Sequence, residues 1–325
     1  MTPESHAMKR MEAPGLLSAV PAVAPASSGV TRREGARMMS VLRAGIADYL
    51  ALTKPRIAAL VLITTMVGYL AAGGAEAPLA GLLHVLIGTA LAAAGANALN
   101  QYLERSLDAR MDRTASRPIP SGRIAPKDGL RFGLFCAVGG SAYLFAAVNP
   151  LCAGVVAATL LLYLGVYTPL KRVSPWCTVV GAVPGALPPI IGWTAATGAA
   201  DARAWTLFLI LFVWQIPHFW AIAWLYRDDY RAAGFPMLPV LDADGRRTGR
   251  QIVLLLLFLI PLAATPWYFG MAGRAYLLGA ALLGLAFFAT GTAFHRARSP
   301  AAAQRLVLAS VAYLPLLWGL LLLDG

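Results

Sequence analysis

The sequence predicts an all-α fold, a polytopic membrane helical bundle with about nine transmembrane helices. Three observations carry this. The 325 residues are 58% hydrophobic and 13% charged, with a mean hydropathy of +0.65. That is too little charge to cover a water-soluble domain of this size. Apolar runs long enough to cross a ~30 Å hydrocarbon layer recur along the chain, and the basic residues lie almost entirely on one side of them.

Residues 1–45 read as a disordered cytoplasmic N-terminal tail. They are rich in Ala, Pro and Ser with scattered charge, and their apolar pieces are too short and proline-broken for a signal-peptide core or a span. Met38 or Met39 stands closer to a natural start. Residues 46–325 form the transmembrane domain. A window of about 20 residues places spans at 57–74, 79–101, 129–148, 151–169, 176–197, 204–225, 251–271, 275–294 and 304–323. The third and fourth are joined tightly at Asn149-Pro150.

With the N-terminus cytoplasmic and nine crossings, every one of the 27 lysines and arginines except Arg203 and Arg274 falls inside. The positive-inside rule asks for this. The net charge of +12 therefore reflects topology in a multi-pass bacterial inner-membrane protein with a periplasmic C-terminus. Nucleic acid is excluded as a partner; the lipid bilayer is the partner. Cys136, Cys152 and Cys177 are isolated in or beside apolar runs, without metal-ligand spacing, and read as small core residues.

The second span runs into NALNQYLERSLDARMDRTASRPIPSGR, Asn97 to Arg123. On a helix, Asn100, Glu104 and Asp108 stack four residues apart on one face. Acids so aligned repel one another, and ionisable residues at a membrane edge are rarely idle. Hard oxygen ligands without His or Cys nearby point to Mg²⁺, which favours one or two carboxylates plus phosphate oxygens. Arg113 and Arg117 follow directly. Lys54 and Arg56 flank the first span on the same face, and Lys171 with Arg172 end the fourth. Acids facing cations describe a diphosphate site; for any single arginine, simple positive-inside anchoring explains its position equally well. After the sixth span, Asp228 and Asp229 emerge from an aromatic helix on the same side. Each acid cluster precedes a proline-punctuated strip, Arg117-Pro118-Ile119-Pro120 and Phe235-Pro236-Met237-Leu238-Pro239, hinting at a four-helix unit used twice.

The N-x-x-x-[DE]-x-x-x-D pattern followed by Arg113-Thr114 and Arg117-Pro118 resembles the intramembrane aromatic prenyltransferases. The wording Asn97-Ala98-Leu99-Asn100, Tyr167-Thr168-Pro169-Leu170-Lys171-Arg172, Gly181 to Pro189, Trp214-Gln215-Ile216-Pro217-His218-Phe219-Trp220 and Asp229-Tyr230 is similar to the branch that farnesylates protohaem IX. The resemblance runs from about Tyr49 to the C-terminus. Glu104 stands where that superfamily usually has Asp. A second D-x-x-x-D motif is not intact, since Ala232 and Ala233 follow Asp228 and Asp229.

The resemblance implies a bundle around a cavity open to lipid, capped by cytoplasmic loops, with Pro184, Pro188, Pro189 and Pro217 bending its helices. It implies farnesyl diphosphate and haem B as substrates, Mg²⁺ held by Asn100, Glu104, Asp108 and Asp229, and diphosphate on Lys54, Arg56, Arg113, Arg117, Lys171 and Arg172. His218, Trp214 and Trp220 fall in the implied acceptor pocket; His218 contacts the haem, handles a proton or serves packing. A downstream haem-modifying enzyme is an implied partner. Two other readings fit part of the sequence. One is a prenyltransferase with another acceptor such as 4-hydroxybenzoate. The other is a transporter, which should carry its ionisable residues inside the spans rather than at one face.

Overall fold

The computed structural model describes residues 45–74 and 77–325; of the tail expected over residues 1–45, residues 1–44 lie outside them and residue 45 already belongs to a helix. Among the described residues there is no strand. Among the described residues nine helices are long and apolar enough to cross a membrane. They are α1 (Pro55–Gly73), α2 (Leu79–Asp108), α3 (Pro126–Ala147), α4 (Pro150–Leu170), α5 (Cys177–Thr197), α6 (Ala202–Leu225), α7 (Arg246–Tyr268), α8 (Arg274–Ala297) and α9 (Pro300–Leu323).

The expected spans agree with these to within about four residues at most ends, with two larger differences. α7 starts at Arg246, before the expected 251, and α2 runs to Asp108 rather than stopping at 101. The 30 residues of α2 measure about 45 Å at helical rise, against an apolar layer of about 30 Å. Its last turns therefore stand at the membrane edge, where charge is tolerable, and the helix has no hydrophobic reason to end at Gln101.

α5 and α6 form the centre. Of the most apolar window in each, 61% is buried, against 22–39% in the other seven spans. α1 lies along α5 and α2 along α3, while α6 borders α5, α7 and α9. The α1–α5 crossing depends on two glycines. A Cβ on Gly192 would collide with the Thr65 backbone oxygen, and one on Gly68 with that of Pro189. In lipid, where apolar burial gives helices little reason to associate, such close backbone approach is what holds them.

α5 is broken at Leu187, between Ala186 and Pro188. Pro188 and Pro189 have no N–H to continue the ladder. Just before the break Gln215 of α6, itself buried, ties the two central helices together: its Nε2 donates to the Ala182 carbonyl of α5 at 2.9 Å. Pro217 sits inside α6, so both central helices carry prolines at the depth the sequence indicates.

Lys54, the end of α2, the start of α3 and the ends of α4 and α6 share one face of the bundle. Arg203 and Arg274 stand at the opposite ends, on the first turns of α6 and α8. The loops after α2 and α6 pack together on the charged face: Met111 shares a buried cluster with Cys177, Tyr230, Phe235 and Met237. Of the two echoing proline strips, the second lies in this cap through Phe235 and Met237, whereas Ile119 of the first packs with Leu52, Ala98 and Ile124.

Candidate active site

α2 brings one broad polar face to the edge of the bundle. Asn97, Asn100, Gln101, Glu104 and Asp108 are all at least nine-tenths buried, at the i, i+3, i+4, i+7 spacing of a single helical face. This face divides into two columns with different tasks.

The first column is Asn97 and Gln101. Asn97 Nδ2 donates to the Thr53 carbonyl at 2.8 Å and Gln101 Nε2 to the Leu52 carbonyl at 2.9 Å. These carbonyls end the short helix of residues 45–52, just before Lys54. Lys54 adopts the left-handed conformation, with φ 52°, at a cost of about 1–2 kcal/mol for a side-chain-bearing residue. Two amide hydrogen bonds at about 1 kcal/mol each offset that strain. The backbone so held turns the Lys54 side chain inward.

The second column is Asn100, Glu104 and Asp108, at 3%, 2% and 1% exposure. Each member meets a cation or an amide. Lys54 Nζ donates to Asn100 Oδ1 at 3.2 Å, and Asn100 Nδ2 to Glu104 Oε2 at 3.1 Å. Lys171 Nζ lies 3.2 Å from both Glu104 oxygens, and Arg117 Nη1 is 2.7 Å from Asp108 Oδ2. Burial pushes the Lys54 amine down to about 7; the positive charge of Arg117 adds to this and Asp108 and Glu104 oppose it.

α4 reaches this column through a π-helical stretch, Leu162–Tyr167. The wider turn is visible in the Thr168 hydroxyl, which donates back five residues to the Tyr163 carbonyl at 2.8 Å. Such stretches shift the phase of a helix and recur at functional sites. Here the shift sets Thr168 Oγ1 3.4 Å from Asn100 Nδ2 and leaves Lys171, after Pro169, over Glu104. The Lys171 ammonium also lies 4.9 Å from the Phe235 ring centroid, so the cap touches the site directly.

The loop after α2 folds back on its own helix. Thr114 Oγ1 donates to the Asp108 carbonyl at 2.8 Å, which anchors the turn carrying Arg117. Arg113 leans the other way, lying over the Tyr226 and Tyr230 rings and donating to the Tyr230 hydroxyl at 3.1 Å.

Of the residues expected from the sequence, Lys54, Lys171 and Arg117 therefore meet Asn100, Glu104 and Asp108, and Arg113 reaches the second loop. Arg172 bonds the Leu103 carbonyl at 3.0 Å, anchoring α4 to α2 from an exposed position. Arg56 is exposed, with no side-chain partner among the described residues. Asp229 is half-buried on the short helix Arg227–Ala232, while Asp228 is exposed and pairs with Arg231 at 2.6 Å. No three His, Cys, Asp or Glu side chains converge among the described residues. With two carboxylates here, Glu104 and Asp108, a cation on this face would draw also on Asn100 and on the oxygens of a bound anion.

His218 and Trp214 lie deeper, where α6 meets α9. His218 Nδ1 is 2.6 Å from Ser310 Oγ, and that hydroxyl lies 2.6 Å from the Val307 carbonyl, to which it donates. The single hydroxyl proton being used, Nδ1 carries the ring proton and Nε2 is left as the acceptor. Trp214 stacks on His218 with ring centroids 5.2 Å apart and donates its indole N–H to the Ser310 carbonyl at 3.0 Å. Trp220 is packed in the main core, its indole nitrogen without a partner among the described residues.

Sequence reasoning passed over Gln101, and quoted Asn97, Thr168, Tyr230 and Phe235 without giving them a role. All are uncharged, so nothing in charge patterning flags them. The one available signal was the spacing of Asn97 and Gln101 relative to Asn100 and Glu104.

Fold and site together define a membrane-embedded enzyme that gathers buried acids and cations at one edge of a helical bundle. Residues 61–317 match the UbiA prenyltransferase family. The protoheme IX farnesyltransferase of Solibacter usitatus is 48% identical over 287 residues, covering 85% of this chain and 98% of that protein. A digeranylgeranylglyceryl phosphate synthase structure superposes with a TM-score of 0.74 at 16% identity, covering 86% of this chain and 98% of its own. A UbiA homologue from Archaeoglobus fulgidus, bound to GPP and Mg²⁺, does so with a TM-score of 0.61 at 19% identity, covering 84% and 99%. The chain belongs to the UbiA prenyltransferase family.

Proposed function

We propose that the protein transfers a farnesyl group from farnesyl diphosphate to a vinyl group of protohaem IX, with addition of water, giving haem O. The observation that carries this reading is the buried Asn100, Glu104 and Asp108 column met by Lys54, Lys171 and Arg117. The choice of acceptor rests on the 48% identity to a protoheme IX farnesyltransferase.

The donor set suits Mg²⁺. Its oxygens are hard and almost wholly buried, and cations are already present to share the charge of an incoming anion. Asn100, Glu104 and Asp108 would hold the metal, with Asp229 contributing from the second loop. When bound, Mg²⁺ supplies positive charge against the diphosphate oxygens.

Lys54, Lys171 and Arg117 stabilise the same charge as the farnesyl C1–O bond breaks and diphosphate departs. Arg113, set on two tyrosine rings, and the outer cations Arg56 and Arg172 draw the anion in. The Met111, Phe235 and Met237 cap keeps bulk water from the allylic cation. The vinyl π electrons form the new carbon–carbon bond to C1. Water then adds its oxygen to the porphyrin-side carbon and releases its proton to solvent. His218, its free Nε2 directed away from Ser310, Trp214 and Trp220 belong to the acceptor side. The site orients and ionises, and bond formation needs no strong base.

The same reading places the protein in a bacterial inner membrane with the N-terminus cytoplasmic and the C-terminus periplasmic, and hands haem O to a haem-modifying enzyme. Membranes containing the protein, given farnesyl diphosphate with haem B or with 4-hydroxybenzoate, decide the acceptor. A farnesylated, hydrated haem by mass supports the proposal, and prenylated 4-hydroxybenzoate alone overturns it. Reporter fusions at Pro120 and Asp244 should read cytoplasmic, and those at Gly198 and Ala272 periplasmic.

A further inference from the structure

Away from the acid column, the start of α7 and the end of α8 build a second basic site. Arg246, Arg247, Arg250, His295, Arg296 and Arg298 line an open cleft of about 460 Å³. Arg246 pairs with Asp244 at 3.1 Å; the other four arginines have no carboxylate within ion-pair distance among the described residues. The two helices approach closely beneath them. A Cβ on Gly249 would stand 2.7 Å from His295 Nδ1, and that nitrogen is buried with no hydrogen-bond partner among the described residues. Arg298 is held in the left-handed conformation at φ 46°, with Lys54 one of two such non-glycine residues among the described ones. The first turn of α7 is already capped, Asp244 Oδ1 accepting from the Arg246 N–H at 3.0 Å and Asp242 Oδ2 from the Thr248 N–H at 2.7 Å, so the cleft's donors are its side chains.

Topology asks only that basic residues lie on this face. It does not ask that four unpaired guanidiniums converge on one cleft floored by an unsatisfied imidazole. The arrangement wants a phosphate-bearing anion. What lies below selects its source. Leu254, Leu257 and Phe258 continue the helical face that Arg247 and Arg250 begin, at i+4, i+7 and i+8 from Arg250, and they are 56%, 52% and 57% exposed. A guanidinium crown above a bare apolar strip matches one molecule with a phosphodiester head and acyl tails. We propose that this cleft is a binding site for an anionic membrane phospholipid, the headgroup on Arg247, Arg250, Arg296 and Arg298 and a chain along α7. Basic pockets between helices at a membrane edge hold acidic headgroups in this way.

The test is native mass spectrometry of the full-length protein in detergent, titrated with phosphatidylglycerol, phosphatidylcholine or inorganic phosphate. The wild type should retain phosphatidylglycerol in preference to phosphatidylcholine. R247Q/R250Q/R296Q should bind phosphatidylglycerol about 100-fold more weakly, at ~1 kcal/mol for each neutralised charge. A control, R105Q/K127Q/R131Q, removes three exposed basic residues from the same face and should bind as the wild type does. All six residues are exposed, and equal unfolding midpoints without lipid would show that both variants fold. Equal losses in the two variants, or none in either, would reduce the cleft to general surface charge and overturn the proposal. Phosphate displacing the lipid completely at equal concentration would overturn the lipid assignment in favour of a free anion.

Discussion

Arg117 Nη1 stands 2.7 Å from Asp108 Oδ2, with 28% of the arginine side chain exposed and 2% of the carboxylate. The pair is lopsided: the acid is sealed into the bundle and the base sits at its mouth. A pair placed only for stability gains little from that arrangement, because the buried partner bears the desolvation cost and the exposed one can rotate away. A charged ligand entering from the mouth would engage Arg117 first and the carboxylate behind it.

Asp108→Asn keeps the shape and removes the charge. Prenyl transfer by this variant should fall by about 10²–10³-fold, the usual cost of one preorganised electrostatic group, with the protein still inserted and folded. The measurement is product formation by mass at saturating substrates. Turnover within a few-fold of wild type would remove Asp108 from the site.

Glu104 permits a finer comparison. Both of its oxygens are held by the flexible Lys171 side chain, which can follow a carboxylate withdrawn by one methylene. Glu104→Asp should therefore keep activity within several-fold, whereas Glu104→Gln should lose it as Asp108→Asn does. If the shorter acid is as inactive as the amide, the reach of Glu104 matters and not only its charge.

Arg117→Lys separates anchoring from recognition. A point charge at that position still satisfies the positive-inside rule, but it cannot grip two oxygens as a planar fork does. The KM for farnesyl diphosphate should rise about tenfold, for a loss of about 1.4 kcal/mol, and the KM for haem should stay in place. A silent substitution returns Arg117 to a topological role.

A packing prediction concerns Gly192. A methyl group there meets the Thr65 backbone oxygen, which cannot step aside without moving α1. Gly192→Ala should lower stability by at least the 1–3 kcal/mol typical of overpacking, seen as a fall in the unfolding midpoint in detergent. Gly154→Ala, with nothing within 4 Å of the added carbon, should leave it unchanged. Equal midpoints for the two would mean that α1 and α5 do not depend on that contact.

The sequence by itself determined the span number, the charged face, the Asn100, Glu104 and Asp108 column and the set of candidate cations in the loops. Those properties are local: hydropathy accumulates over one run, and helical spacing aligns residues four apart without help from other helices. Only the tertiary structure decided which cations reach the column. Lys171 arrives because a π-helical turn rephases α4, and Lys54 because Asn97 and Gln101 hold a strained backbone in place. Arg56 and Arg172 share their charge and their side of the bundle, yet one is left exposed and the other anchors α4. It also packed Met111 of the loop after α2 against Phe235 and Met237 of the loop after α6 and gathered four arginines without an ion-pair partner among the described residues between α7 and α8. Each of these rests on contacts between segments far apart in the chain, made by neutral amides, hydroxyls, glycines and aromatic rings, residues whose composition and spacing look the same in packing as in function.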